Sequence, residues 1–340
     1  MILPRHIRIE DISHAGEARR AAESLCRQIG FDQLLSAKVC LVATEITTNL
    51  VKHTQCAGGD LFLIPIESDG LCGLDILALD HGPGIVNLQQ SLLDGYSTTG
   101  TQGSGLGAIR RQSVEFDIYS VPTQGAALIS RFWSRENVES KLGMQAGSVC
   151  MPVKGESVCG DAWSMKSTGE SCLVMLVDGL GHGPQAAEAA QLAVTVFQGS
   201  AQHRPGELLL TISKALGATR GAAVGIAEIA LGQQKIYYSG IGNISAAVFG
   251  EDKYFNLISH NGIVGMEPTL IREFEYTWPE IGFLVMHSDG LAPNWSLDQY
   301  PGLSQKHPTL IAGALFRDYR IIRDDCCILV AKPNRWMMQA

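Results

Sequence analysis

Apolar positions in the first part of the chain recur every three or four residues and then give way to short, densely apolar runs. Residues 16–29 (GEARRAAESLCRQI) and 33–55 carry the helical spacing and are rich in helix formers. Two strand-like runs follow, 60–66 (DLFLIPI) and 73–80 (GLDILALD). A Gly- and Ser/Thr-rich stretch, 94–107 (DGYSTTGTQGSGLG), leads into a short helix from near Gly105 through Arg111. Strands at 115–121 and 126–133 close this unit. The polar stretch 134–143 (SRENVESKLG) reads as a linker. Beyond it, strands at 171–177 (SCLVMLV), 222–230, 235–241, 244–249, 281–287 and 326–332 are interrupted by helical stretches at 184–199 and 205–217. Apolar strands bounded by glycine predict a layered α/β core, and no internal repeat is visible.

A length of 340 residues suits two domains, divided as 1–134 and 144–340 with a linker at 135–143. Apolar residues make up 46% and charged residues 18%, which describes a packed globular protein and not a disordered one. Residues 1–134 hold 10 Lys/Arg against 14 Asp/Glu and the remainder 16 against 20, so each half is near −4. Neither half has a basic block, which disfavours nucleic acid as a partner. Nine cysteines lie scattered without a C-x-x-C pair, as expected of reduced core thiols. The N-terminus, MILPRHIRIE, has no apolar signal region, and no uncharged stretch reaches the ~20 apolar residues of a membrane span. A soluble, cytoplasmic protein without a membrane partner is expected.

Candidate chemistry in the first half falls on three segments. Glu45 and Asn49 are four apart in a helical pattern, so both side chains share one face. A carboxylate there can serve as base toward a hydroxyl, and an amide oxygen can occupy a position on Mg²⁺. Asp80 ends a strand, and Gly82 and Gly84 after it let the backbone approach a flat ligand. Gly103, Gly105 and Gly107 free a loop to fold over phosphates, and the helix that follows offers amide donors at its positive end. Each segment alone is more readily a solvated helix face, a turn or a flexible loop; their order is what makes the set specific. His53 fits a structural role or a contact to the loop.

The second half places acidic residues at strand ends. Asp178 and Asp289 each follow an apolar strand and precede glycine (CLVMLVDGLGHG and IGFLVMHSDGL), Asp324-Asp325 precedes another strand (DDCCILVAK), and Asp161 lies in VCGDAW. Such carboxylates converge readily on one edge of a sheet, and oxygen-only donors favour Mg²⁺ or Mn²⁺ over zinc. A pair of such ions suits phosphomonoester hydrolysis. His182 fits either a phosphate contact or a cap for the next helix, and Trp163 and Trp295 read as core or rim aromatics. Lys154 is the nearest basic residue before Asp161, and no arginine there marks a phosphate contact.

With these residues in hand two resemblances stand out. Over roughly residues 5–133, EITTNLVKH, LDHGPGI and DGYSTTGTQGSGLGAIRR resemble the nucleotide boxes of the GHKL-type ATPases, specifically the RsbT-like anti-sigma-factor kinases. That resemblance implies ATP and Mg²⁺ as cofactors, Glu45 as base, Asn49 as Mg²⁺ ligand and Asp80 as adenine acceptor. It also implies an ATP lid over 98–107, with Thr98, Thr99, Gly103, Ser104, Gly105, Leu106 and Gly107 at the nucleotide. Over about 144–333, CGDAW, VDGLGHG, SDGL and RDDCCILV resemble the metal-dependent protein phosphatases (PPM group), in the SpoIIE/RsbX-like branch. This second resemblance implies two Mn²⁺ or Mg²⁺ ions held by Asp161, Asp178, the Gly179 carbonyl, Asp289 and Asp324, with Asp324 preferred over Asp325.

Together they imply an α/β (α+β) protein: a GHKL ATPase-like α/β sandwich followed by a PPM-type α/β/β/α sandwich. The function implied is a bifunctional serine/threonine kinase and phosphatase of a partner-switching, stressosome-type system. Its partner would be a STAS-domain or anti-anti-sigma-like phosphoprotein, with a sigma factor as a further candidate. Two other readings remain open at this point. The first half could be an ATP-dependent binder that transfers no phosphate, or a nucleotide sensor acting on its own phosphatase. Two complete motif sets on either side of a linker predict that 1–134 and 144–340 fold independently.

Overall fold

The computed structural model describes residues 2–54, 58–68, 70–92, 105–135, 143–167, 169, 171–251, 253–266 and 270–334. They form two compact units. The first comprises Met1–Glu139 together with Leu297–Arg317, and the second comprises Ser140–Ser296 together with Asp318–Ala340.

The first unit is a five-stranded antiparallel sheet with its two long helices on one face and a helix from far later in the chain on the other. In chain order its elements are β1 (Arg5–Ile9), α1 (His14–Ile29), α2 (Gln33–His53), β2 (Gly59–Ser68), β3 (Leu71–Asp80), α3 (Leu88–Ser91), α4 (Gly105–Gln112), β4 (Glu115–Ser120) and β5 (Ala126–Trp133). The sheet order is β1-β2-β3-β5-β4. Asp32 caps α2 by accepting from the Leu35 amide at 2.7 Å, which sets where the helix begins. Alternate residues of the strands, among them Leu61, Leu63, Leu74, Ile76, Ile118 and Phe132, pack against the inner faces of α1 and α2. α2 is the one described helix long and apolar enough to cross a membrane by length and composition. Here Val39, Val42, Ala43, Ile46 and Leu50 are buried in the core of this unit.

The opposite sheet face carries Phe62, Asp75, Leu77, Leu79, Arg131 and Glu115, and it too is covered. The cover is Leu297–Arg317, far away in sequence. Phe316 meets Phe62 edge-on with ring centroids 5.5 Å apart. A Cβ on Gly313 would stand 3.0 Å from Leu79 and 3.2 Å from Leu77, so the helix α7 (Pro308–Tyr319) lies close against β3. Arg131 forms a buried, two-pronged ion pair with Asp75 at 2.6 and 2.8 Å, and the Thr309 hydroxyl joins it at 3.2 Å from Asp75. Residues 144–340 were expected to form one domain, so this is a correction. A fragment ending at 134 would leave an ion pair and an apolar sheet face without their cover.

The second unit consists of two stacked five-stranded antiparallel sheets with helices on one outer face. Its elements begin with β6 (Met144–Met151), β7 (Asp161–Ser167), β8 (Cys172–Gly179), α5 (Pro184–Gly199), α6 (Pro205–Leu216), β9 (Ala222–Ala230), β10 (Lys235–Ile241) and β11 (Ser245–Phe249). They continue with β12 (Tyr254–Asn256), β13 (Phe274–Thr277), β14 (Phe283–His287) and β15 (Cys326–Pro333). The sheet orders are β13-β10-β9-β8-β7 and β12-β11-β14-β15-β6. Val174, Leu176, Ala227, Tyr238, Met286 and Leu329 fill the space between the sheets. Alternate residues of β8 and β9 face α5 and α6 instead. The α/β class expected from the sequence is the class observed.

Candidate functional site

In the first unit Glu45 and Asn49 emerge half-buried from the same face of α2. The first residue of α4 lies against them: a Cβ on Gly105 would stand 3.3 Å from Asn49 Oδ1. The amides that open α4 are therefore beside the Asn49 amide oxygen, and the first-turn N–H groups of a helix have no partners within it. Asp80 ends β3, and its Oδ1 accepts from the Gly82 amide at 2.7 Å. Burial, opposed by that hydrogen bond, raises its carboxyl above the usual range. Gly84 has φ of 70°, and a Cβ there would lie 2.4 Å from the Val121 carbonyl, so the turn after Asp80 accepts only glycine at this point.

Thr98, Thr99, Gly103 and Ser104 lie outside the described residues. Gly105, Leu106 and Gly107 belong to the opening turn of α4 and not to a free loop. The Leu106 side chain packs on the core, so only its backbone faces a ligand role. His53 is exposed at the last turn of α2.

In the second unit β7 and β8 place Asp161 directly opposite Asp178 in register. Asp161 is only 3% exposed. Its Oδ2 accepts from the Ser288 hydroxyl at 2.7 Å, and Ser288 in turn accepts from the Cys327 amide at 3.0 Å. Burial first, and then the Asp178 charge, pushes the Asp161 carboxyl well above its usual range. Burial, followed by the charges of Asp289 and Asp324, pushes Asp178 up to about 7. Burial and the Asp289 charge also raise Asp324. These shifts report one thing: four carboxylates share an edge with too little positive charge to balance them. Among the described residues no group of three or more His, Cys, Asp or Glu side chains is gathered closely enough to hold a metal ion as placed, so the four aspartates share an edge without forming a preassembled cage.

Asp325 does different work from its neighbour. Its oxygens accept from the amides of Val153 at 2.6 Å and Gly160 at 2.7 Å, which ties two loops to the start of β15. Asp324 is left facing the acidic edge. The glycines of the Asp-Gly pairs are steric necessities: a Cβ on Gly290 would stand 1.8 Å from the Asp325 carbonyl, and one on Gly179 2.2 Å from that of Ala186.

Three residues escaped the sequence reading. Ser288 holds Asp161, and Asn243 donates to Asp289 Oδ2 at 2.6 Å. Ser288 lies beside the Asp289-Gly290 pair, whereas Asn243 follows Gly242 with no motif residue next to it. The third is Arg220, an exposed arginine whose guanidinium stands 3.2 Å from where a Gly181 Cβ would be. Gly181 belongs to the loop leaving Asp178, whereas the arginine was sought before Asp161; Lys154 there is exposed. His182 does not cap α5. It is 60% exposed and pairs with Glu156 at 2.9 Å. Trp163 packs on the core between the sheets, and Trp295 donates to His287 at 3.2 Å.

Comparison with known proteins follows the same division. The family described as the histidine kinase-like ATPase domain matches residues 10–130, and stage II sporulation protein E (SpoIIE) matches residues 168–334. Serine/threonine-protein kinase RsbT of Bacillus subtilis (strain 168) is 29% identical over 118 residues, 35% of this chain and 87% of its own length. Phosphoserine phosphatase RsbX of the same organism is 26% identical over 141 residues, 41% of this chain and 70% of its own. Among solved structures, one from "The bacterial stressosome: a modular system that has been adapted to control secondary messenger signaling" aligns with a TM-score of 0.52 at 23% identity. It covers 56% of this chain and 99% of that one, and it supports the fold alone. The chain thus joins a region similar to RsbT and matched by the histidine kinase-like ATPase domain to a region similar to RsbX and matched by SpoIIE.

Proposed function

We propose that this protein sets the phosphorylation state of a partner in a partner-switching system, adding phosphate with its first domain and removing it with its second. The observation that carries the reading is the face-to-face pair of buried Asp161 and half-buried Asp178, with the charges of Asp289 and Asp324 close to Asp178. Protein interiors tolerate such a cluster when a cation balances it. Every donor is oxygen, which favours Mn²⁺ or Mg²⁺ over zinc. Asp161, Asp178, the Gly179 carbonyl, Asp289 and Asp324 would hold a pair of these ions. Bound there, they would supply charge neutralisation for the phosphate and a water acidic enough to attack at neutral pH.

The rest falls to this chain's own side chains. Ser288 and Asn243 fix the orientation of Asp161 and Asp289. Arg220 would neutralise the incoming phosphate beside the Gly181 loop. In the hydrolysis a water oxygen bonds to phosphorus as the serine or threonine ester oxygen leaves with the bonding pair and takes up a proton.

In the first domain Asp80 would accept from the adenine amino group, and the opening amides of α4 would receive the phosphates. Asn49 would place its oxygen on Mg²⁺. Glu45 would take the proton of a partner hydroxyl as its oxygen bonds to the γ-phosphorus and ADP leaves. The names of RsbT, a serine/threonine kinase, and RsbX, a phosphoserine phosphatase, support a partner that carries phosphate on serine or threonine, and the partner proposed is a STAS-domain or anti-anti-sigma-like phosphoprotein.

The test is incubation of the whole chain with labelled ATP and a STAS-domain protein. With Mg²⁺ and the Asp178→Asn chain, label should move to the partner and stay there, whereas the natural chain with added Mn²⁺ should remove it again. Glu45→Ala should bind Mg-ATP as before and transfer phosphate about 10²–10⁴-fold more slowly. A stable ATP-dependent complex without label would mean that the first domain binds and does not phosphorylate.

A further inference from the structure

The segment Leu297–Arg317 interrupts the sequence of the second unit and packs in the first. Asp289 precedes it and Asp324 follows it, so both candidate metal ligands are the flanks of one excursion. Its two ends are joined like the stem of a hairpin. The Ile321 amide donates to the Gly290 carbonyl at 2.8 Å, and the Ala292 amide to the Tyr319 carbonyl at 2.9 Å. Leu291 bridges Arg320 between them. Gly290 and Ile321 therefore hold the chain close on both sides of the stem, one residue after Asp289 and three before Asp324.

The body of the excursion is anchored on the first sheet by charge as well as by apolar contact. Lys306 pairs with Asp117 at 2.9 Å, the His307 amide donates to the same carboxylate at 2.9 Å, and Thr309 joins the buried Asp75–Arg131 pair. Near its end Arg317 donates to the backbone carbonyl of Asp80 at 3.1 Å. Asp80 is the residue whose carboxylate would receive adenine. One amino acid thus touches the excursion through its carbonyl and, in the proposed reading, would touch the nucleotide through its side chain.

We infer that the Leu297–Arg317 excursion links nucleotide binding at Asp80 to the placement of Asp289 and Asp324. The inference rests on the reading of Asp80 as a nucleotide contact and of the acidic edge as a metal site. Adenine on the Asp80 carboxylate fixes the end of β3, which fixes the carbonyl that holds Arg317. A more firmly held α7 narrows the motion of the stem and of the two aspartates at its ends. Nucleotide then raises metal affinity in the second unit. Linkage is reciprocal for binding, so metal raises nucleotide affinity by the same factor. Arg317 is a positioning residue in this scheme, acting through Asp80 and the stem.

The experiment uses the whole chain with Mg²⁺ and a non-hydrolysable ATP analogue, whose binding is first measured by calorimetry. Amide hydrogen exchange across 308–321 is then followed with and without the analogue. Exchange there should slow about 5-fold or more, the lower end of typical coupling between sites. The concentration of free, buffered Mn²⁺ that half-saturates p-nitrophenyl phosphate hydrolysis should fall by a similar factor. Arg317→Met should still bind the analogue and lose both responses. Binding of the analogue with unchanged exchange in 308–321 overturns the inference and leaves both site assignments standing. Slowed exchange with an unchanged Mn²⁺ requirement also overturns it, because the signal then stops short of the aspartates. No binding at all overturns the nucleotide reading of the first unit and the inference with it.

Discussion

Asp161 and Asp178 are cross-strand neighbours on β7 and β8, two carboxylates placed where opposite or neutral partners are the rule. Asp161 is almost wholly buried, and the hydroxyl of Ser288 is its one strong neutral donor. Such a pair costs stability on its own and is retained for what it binds. Without metal, then, Asp178→Asn should unfold at the same temperature as the natural protein or a higher one. Thermal melts in EDTA check this, and a fall of several degrees would mean that Asp178 holds the fold together.

Asp324 and Asp325 are adjacent and should respond in opposite ways. Asp325 receives two backbone amides and is buried, so Asp325→Ala leaves both N–H groups without a partner. Each orphaned buried donor costs roughly 1–3 kcal/mol, and the variant should be clearly destabilised in denaturant titration. Asp324→Asn should keep the stability of the natural protein and lose phosphatase activity. The reverse pattern would exchange their roles.

The Asp75–Arg131 pair lies beneath the excursion, with side chains 2% and 4% exposed. Removing one member strands a buried charge, at a cost of about 3–5 kcal/mol. Arg131→Met should therefore destabilise the first unit by that order, read by denaturant titration and by faster hydrogen exchange in β3 and β5. A loss below about 1 kcal/mol would contradict the buried network.

The first unit should weaken as the solution is acidified. Burial holds the His307 imidazole below its ordinary 6.5. Burial alone would raise Glu115, but the His307 hydrogen bond and the Arg131 charge hold it down to about 2, against an ordinary 4.5. The unfolded chain takes up these protons first, so both groups favour folding at high pH and lose that contribution as pH falls. His307 loses it below about pH 6.5 and Glu115 between about pH 4.5 and 2. Exchange of β4 and β5 amides should quicken across this range. Glu115→Gln should flatten the lower part and His307→Gln the upper. Stability that rises on acidification would reverse the assignment.

The sequence announced most elements with an orderly apolar pattern: α1 and α2, the central strands of both units, and α5 and α6 lie within a few residues of their expected positions. It was silent where pattern is weak. β1 is a five-residue edge strand whose His6 and Arg8 meet Asp60 on the exposed side, so charge hides its alternation. β7 is also an edge strand. α7 shows the opposite failure. Pro308 through Phe316 are buried without interruption, so the helix has no polar stripe to betray its period. Its attachment to the first unit depends on contacts some 180–240 positions away in sequence, such as Thr309 to Asp75 and Lys306 to Asp117. Local pattern carries no trace of such pairings. Asp161, Asp178 and Asp289 were legible because each stands beside a glycine, and Asp324 because it opens an Asp-Asp pair before an apolar strand, whereas Asn243 and Ser288 look ordinary until the fold brings them to Asp289 and Asp161.

The proposed phosphatase activity depends on the acidic edge of Asp161, Asp178, Asp289 and Asp324. The direct measurement is hydrolysis of a phosphoserine substrate or p-nitrophenyl phosphate by the whole chain, natural and Asp178→Asn, in EDTA and after return of Mn²⁺ or Mg²⁺. The natural protein should be inactive in EDTA and recover with metal. Asp178→Asn should stay inactive in both, fold normally and keep its Mg-ATP binding. Full hydrolysis in EDTA, or full hydrolysis by Asp178→Asn, would contradict a phosphatase built on these carboxylates.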